Sequence, residues 1–446
     1  MLVLSSLIIL IAVMITGVPV PLAFLISASV ICLGNGQDPQ MLLINGYNRI
    51  NTILLLTIPL FVLAGSLINQ GGLGEKLVGA VEKTRLGKIK GGLGVVTCVS
   101  CAVFGAVSGS SSATVSCVGA IMAPRLKQAG YKDGLVGALV ASSGVLGILI
   151  PPSMIMILFA WASNSSVLGC FVSTVIPGIT LTILLSVVNC FLYRKNGSTG
   201  ITDAIIENAK LTQQIKEEQK KKRAGESALP ALLMPVIILG SIYAGFLTAT
   251  ESAALSVLYA IPVGILYYKK IDFNTYKIAM VDAGKTAGVI MAMTLTVQIL
   301  SRLYMTENLP DMILGVLTQI STNKYVILLM LNLFMVIMGM LMDDCSNTIL
   351  LTPILLPIMQ SLDISVFHFA AILGVNIGMG NITPPTAPLL YLSGRITGAQ
   401  VKDMLKPTLI LIACAWFPTL LITTLFPPFS EFLARILGYM ESTGRE

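Results

Sequence analysis

The stretches "GVLGILIPPS" (144–153) and "GMGNITPPT" (378–386) each place a double proline a few residues after a glycine, inside long apolar sequence. Proline takes an amide hydrogen out of the helical ladder, clashes with the carbonyl one turn back and pushes its predecessor out of helical geometry. Each motif therefore unwinds a helix and frees backbone carbonyls. Where water is scarce those carbonyls need partners, and a bound cation can serve. The same break made twice, 233 residues apart, points to a duplicated device.

Composition fixes the setting. The chain has 446 residues, is 55% hydrophobic and only 11% charged, and its mean hydropathy is +0.87. A soluble protein carries roughly 25% charged residues. Segments 91–124 and 134–193 contain no Asp, Glu, Lys or Arg, and a membrane-spanning helix needs about 20 such residues. The fold class expected is therefore an all-α polytopic membrane protein. The net charge of +7 sits in loops and in the linker "KEEQKKKR" (216–223), which fits cytoplasmic loops and excludes a nucleic-acid role. Cys98 and Cys101 form a CxxC without a second pair, so they read as packing residues and no transition-metal site is expected. The lone His368 reads as a helix-end or interface residue. No nucleophile, base and orienting group come together in the sequence, so the protein is not expected to be an enzyme.

Apolar spans are expected at 2–33 (broken at 17–21), 52–70, 134–162, 169–193, 228–247, 251–268, 279–303, 366–393 and 406–427. The blocks 90–125 and 324–360 differ. Each is interrupted by small polar residues, "SGSSSAT" (108–114) and "DDCSNT" (343–348), and each follows an amphipathic segment. They read as re-entrant hairpins with polar tips, preceded by interfacial helices. With that topology the loops 71–90, 124–133, 194–227, 269–285 and 394–406 share one side and hold 23 of the 28 Lys and Arg residues. The other side keeps Arg49, Arg302, Lys324, Arg435 and Arg445. This asymmetry places the linker in the cytoplasm.

A gapless shift of 233 pairs Pro124 with Pro357, Ala138 with Ala371, Gly147 with Gly380, and Pro151–Pro152 with Pro384–Pro385. Both polar tips come into register. Hairpins opening from opposite sides make this an inverted repeat, the mark of many secondary transporters. The expected division is a first repeat at 1–193, a cytoplasmic charged linker at 194–227, a second repeat at 228–427 and a C-terminal tail at 428–446. The hydroxyls of Ser108, Ser110, Ser111, Ser112 and Thr114, with Asp343, Asp344, Ser346, Asn347 and Thr348, suit one anion site between two cation sites. Of these, Ser110, Ser111, Ser112, Asp344 and Asn347 are the candidate substrate-binding residues.

The stretches "IPLFVLAGSLINQGG" (58–72), "AVSGSSSAT" (106–114), "ALVASSGVLGILIPPS" (138–153), "GFLTATESAALSVLY" (245–259), "GMLMDDCSNTILLTPILLP" (339–357) and "NIGMGNITPP" (376–385) resemble, in order, the large membrane subunit of TRAP (tripartite ATP-independent periplasmic) transporters. The resemblance implies an elevator-type fold like that of the ion transporter superfamily, in the bacterial inner membrane. It implies Na⁺-driven uptake of an organic acid anion, a dicarboxylate or a sugar acid such as sialic acid. A small membrane subunit on a separate chain and a periplasmic substrate-binding protein are the implied partners. Carried onto this sequence, one Na⁺ site falls on Gly105, Ser108, Gly147, Ile150 and Pro152, and the second on Gly339, Gly380, Thr383 and Thr386. Asp344 and "PPTAP" (384–388) depart from the family's usual residues beside the substrate pocket. A stand-alone Na⁺- or H⁺-coupled anion carrier is the alternative, and a channel or membrane scaffold a third reading.

Overall fold

The shift of 233 reappears in the helix boundaries of the computed structural model, which describes residues 2–196 and 227–439. The first hairpin is Gly92–Ser108 and Ser111–Gln128, and the second is Lys324–Leu341 and Asp344–Ser361. Their outgoing helices begin and end at positions related by the same shift. The residue before each, Ser110 or Asp343, is the helix N-cap and accepts amide hydrogens from the first turn. All regular structure among the described residues is helical.

The broken helices follow the hairpins. The first runs Asp133–Gly144 and Leu146–Leu149, stops at the double proline, and resumes as Met154–Ser163 with a bend of 44°. The second runs Val366–Gly380 and resumes as Pro388–Thr397. Both Pro–Pro bonds are cis.

Packing crosses between the halves. Ser111–Gln128 of the first hairpin lies on Pro388–Thr397 of the second broken helix, and Asp344–Ser361 lies on Met154–Ser163. Likewise Val167–Asn196 packs on Val366–Gly380, and Val401–Leu411 on Asp133–Gly144. The halves thus interlock about a pseudo-twofold axis, and the first broken helix is almost wholly buried.

Around this core stand Val20–Gly34, Ile53–Gln70, Ala249–Pro262 and the 34-residue Phe273–Thr306. Six helices among the described residues are long and apolar enough to cross a membrane. Leu73–Glu82 and Leu309–Ile320 are the short amphipathic helices expected before the hairpins. The opening segment, expected to break at 17–21, folds back on itself there. Leu2–Ile15 and Val20–Gly34 lie side by side, Ser6 Oγ and Ser27 Oγ are 2.6 Å apart, and each hydroxyl reaches the other's carbonyl at 3.0 Å.

Contacts at the helix ends sort as the charge count requires. Arg125–Glu82 (2.5 Å), Lys127–Asp133 (3.1 Å) and Lys270–Glu75 (2.7 Å) tie together loops of the Lys-rich side. Asn35 donates to Glu307 (2.5 Å) on the other side. Exposed pairs of this kind add little stability, but they report which ends are neighbours. The linker beyond Asn196 and the last residues from 440 lie outside the described residues. The segment expected as a tail begins instead with a helix, Pro428–Ile436, started by a proline at its first position. Its buried Glu431 accepts from Ser365 Oγ at 2.5 Å. His368 is buried in the first turn of Val366–Gly380, its Nε2 2.7 Å from the Thr423 carbonyl.

The hairpins touch the broken helices through glycine backbone. A Cβ on Gly380 would lie 2.6 Å from Gly339 Cα, whereas nothing lies within 4 Å of one on Gly284. Gly380→Val is therefore expected to destabilise the purified protein by about 1–3 kcal/mol through overpacking. Gly284→Ala, in an exposed helix interior, should leave stability unchanged or raise it by up to about 1 kcal/mol. Thermal unfolding of the two variants side by side checks the contrast.

Candidate functional site

At the first tip, Gly109 adopts φ +63° and closes the turn, and its carbonyl accepts the Met154 amide at 3.1 Å. That bond pins the tip to the helix beyond the double proline. Thr114 Oγ1 donates to the Ser110 carbonyl (2.7 Å) and lies 3.2 Å from Ser108 Oγ. Ser153 caps Met154–Ser163 and donates to the Ile148 carbonyl at 2.6 Å. A Cβ on Gly147 would meet the Ser110 carbonyl oxygen at 2.6 Å, and one on Gly105 would meet Gly147 Cα at 2.6 Å. Only glycine lets these chains approach so closely.

The second tip repeats the plan with more polar side chains. Asp343 accepts from the Cys345 amide (3.0 Å) and from Ser346 Oγ (2.5 Å). Asn347 donates to the Met338 and Met342 carbonyls at 3.1 and 3.2 Å, holding the turn closed. Its Oδ1 is buried and has no hydrogen-bond partner among the described residues. Thr383 Oγ1 donates to the Met379 carbonyl at 2.6 Å and keeps its lone pairs.

The tips meet at Asp344. One carboxylate oxygen accepts from Ser111 Oγ and the other from the Asn381 amide. Ser111 and Asp344 are partners under the shift of 233, so this bond straddles the pseudo-twofold axis. Beside it lies a cavity of about 470 Å³, walled by Ser110, Ser111, Ser112, Asp343, Asp344 and Asn381. Its far wall is the helix Phe273–Thr306, from Lys285 to Met293, and apolar residues such as Ile155 and Leu389 complete it. The volume falls in the range of small-molecule sites.

Most residues singled out in the sequence converge here. Ser110, Ser111, Ser112 and Asp344 line the cavity, but Asn347 does not, because its amide is spent inside the second hairpin. Gly105, Ser108, Gly147 and Pro152 gather at the first tip, with a Cβ on Gly109 falling 2.8 Å from the Pro152 carbonyl oxygen. The Ile150 side chain points away, toward Gly178. Gly339 and Gly380 touch at the second tip, while Thr386 is exposed and no hydrogen bond ties it to that tip. Cys98 and Cys101 are buried packing residues. Sequence reading passed over Asn381, which its apolar repeat partner Ile148 conceals, and Lys285, which it counted as a loop charge.

The donors available to a cation are hard oxygens: carbonyls released at the two breaks, the hydroxyls of Ser108 and Thr383, and the orphaned Asn347 Oδ1. That set suits an alkali or alkaline-earth ion. For an anion, Lys285 is the lining charge without a partner among the described residues, since both carboxylates are already bonded to protein donors.

Comparison with known proteins fits this geometry. Residues 7–429 match the family model described as "Tripartite ATP-independent periplasmic transporter, DctM component". The chain is 31% identical over 388 residues to the C4-dicarboxylate TRAP transporter large permease protein DctM of Pseudomonas aeruginosa, covering 86% of this chain and 87% of that one. It is 30% identical over 391 residues to the sialic acid TRAP transporter large permease protein SiaM of Vibrio cholerae, covering 87% and 88%. Against the isethionate TRAP transporter permease protein DctMQ of Oleidesulfovibrio alaskensis it is 29% identical, covering 94% of this chain but only 64% of that protein. Among solved structures the Alcanivorax borkumensis YdaH transporter aligns with a TM-score of 0.59 over 87% of this chain and 88% of that one. At 13% identity this shows a shared fold.

The Ser111–Asp344 bond can be weighed directly. A double-mutant cycle with Ser111→Ala and Asp344→Ala, read by thermal or denaturant unfolding, is expected to give a coupling of about 1–3 kcal/mol. Additive effects would show that the two tips do not support each other through this bond.

Proposed function

The chain belongs to the DctM-component family of tripartite ATP-independent periplasmic transporters, and from that membership we propose that it is the large permease subunit of a Na⁺-coupled uptake system for an organic acid anion. The observation that carries the reading is the cavity bounded by both hairpin tips, with Lys285 facing them. The relatives named above move a C4-dicarboxylate, sialic acid and isethionate. All three are organic anions, and a lining cation answers that charge. In the proposed complex a separate small membrane subunit joins this chain in the inner membrane, and a periplasmic binding protein delivers the acid.

Bound Na⁺ supplies the positive charge that freed carbonyls at each break lack. Gly105, Ser108, Gly147 and Pro152 hold the first site, and Gly339, Gly380, Thr383 and the Asn347 amide oxygen the second. Ser110, Ser111 and Ser112 offer hydroxyls to the substrate, and Lys285 draws its carboxylate. Ordering of both tips by the ion creates the substrate site, which is the differential interaction that coupling requires. The hairpins and broken helices then slide as one loaded body past Ile53–Gln70 and Phe273–Thr306, an elevator motion. The interlocked packing of the two halves supports this, because neither half can shift without the other.

Thermal unfolding in Na⁺, K⁺ and choline chloride at constant ionic strength tests the ion sites before any substrate is known. An ion at about 100 times its dissociation constant adds about 2.7 kcal/mol to the folded state. The midpoint should rise in Na⁺ alone, and Thr383→Val should reduce that rise. Equal midpoints in all three salts would refute Na⁺ binding by the folded chain.

A further inference from the structure

A second cavity, of about 360 Å³, lies farther along the same long helix. Phe273–Thr306 lines the tip cavity with residues 285 to 293 and this one with residues 298 to 305. Between these stretches the helix is packed, with Thr294, Thr296 and Val297 all buried. The other walls are the helix Pro39–Ile50, the end of Met154–Ser163 and the outgoing helix of the second hairpin.

Two guanidiniums, Arg49 and Arg302, line this cavity together with Gln298, Gln360 and Asn164. No carboxylate lines it, and neither arginine has an ion-pair or hydrogen-bond partner among the described residues. Only five of the chain's 28 basic residues belong to the Lys-poor side, and two of them converge on this one space. Guanidinium forks match carboxylates in shape and charge, and amides satisfy remaining oxygens. A cleft lined by one sign of charge also concentrates counter-ions.

We propose that Arg49 and Arg302 form a second anion site, at the outer end of Phe273–Thr306, which takes a small carboxylate before it reaches the tip cavity. Its role as a waiting site rests on the transport reading above, but its binding of carboxylates does not. Inner and outer cavities then each carry unpaired positive charge, Lys285 in one and the arginine pair in the other. An anion leaving either mouth meets a positive charge on the same helix.

Trp161 lines the outer cavity and is one of only two tryptophans, the other being the fully buried Trp416. Fluorescence of the purified full chain in neutral detergent, in potassium salts, therefore reports on the site with Trp161→Phe as the subtraction control. Iodide should quench Trp161 efficiently, and the double variant Arg49→Gln/Arg302→Gln should lower its quenching constant by about tenfold. Quenching by neutral acrylamide should be unchanged, Arg49→Lys/Arg302→Lys should retain much of the iodide effect, and saturating succinate or lactate should suppress it. An unaltered iodide constant in the double variant, or a parallel fall with acrylamide, would overturn the proposal. So would protection by phosphatidylglycerol and not by the carboxylates, which would make the cavity a lipid-headgroup site. Because no Na⁺ is present, none of these outcomes bears on sodium coupling.

Discussion

A helix broken inside an apolar core leaves backbone groups that cannot turn to water, and the architecture of this protein follows from how those groups are placed. At each double proline the chain gives up part of its ladder, and the loss is tolerated because a hairpin tip of glycine and hydroxyl residues comes up against the break. The bond from the Met154 amide to the Gly109 carbonyl is the visible half of that compensation. Close approach demands glycine on both sides, which is why Gly105 faces Gly147 and Gly339 faces Gly380. Cross-packing of the two halves then holds both breaks at one level, and the Ser111–Asp344 bond joins them there.

Much of this was legible because proline, glycine and N-cap residues act locally. The tips were found from short polar runs in apolar sequence, and Ser110 and Asp343 cap the outgoing helices where those runs placed them. What escaped depends on helical phase and on distant partners. Asn347 looks like a pocket residue by composition, but it lies one turn inside a helix that starts at Asp344, and its side chain reaches back beneath the turn. Asn381 is set beside Asp344 only by packing between the second hairpin and the second break. Lys285 stands at the end of a loop in the charge count, yet its helix starts at Phe273, so it lies about 18 Å along the rod.

The same rod explains why the two cavities belong to one description. Phe273–Thr306 walls both, together with Met154–Ser163 and Asp344–Ser361, and buried residues of its midsection lie between its two lining stretches. The repeat partner of its outer half is Ile53–Gln70, which crosses it and carries Pro59 in its interior. The YdaH transporter shares the overall fold at 13% identity, so that fold survives where most side chains have changed.

The repeat is symmetric in shape but not in charge. Positions related by the shift of 233 pair Ser111 with Asp344, Thr114 with Asn347, Ile148 with Asn381 and Ile150 with Thr383. In every pair the second half carries the more polar residue. A machine built from two identical inverted halves that trade shapes would have degenerate end states, each the mirror of the other in energy. Here the degeneracy is lifted by chemistry laid on an unchanged frame. On the transport reading proposed above, the unloaded protein would therefore have an intrinsic resting side, set by its own sequence before any gradient is applied.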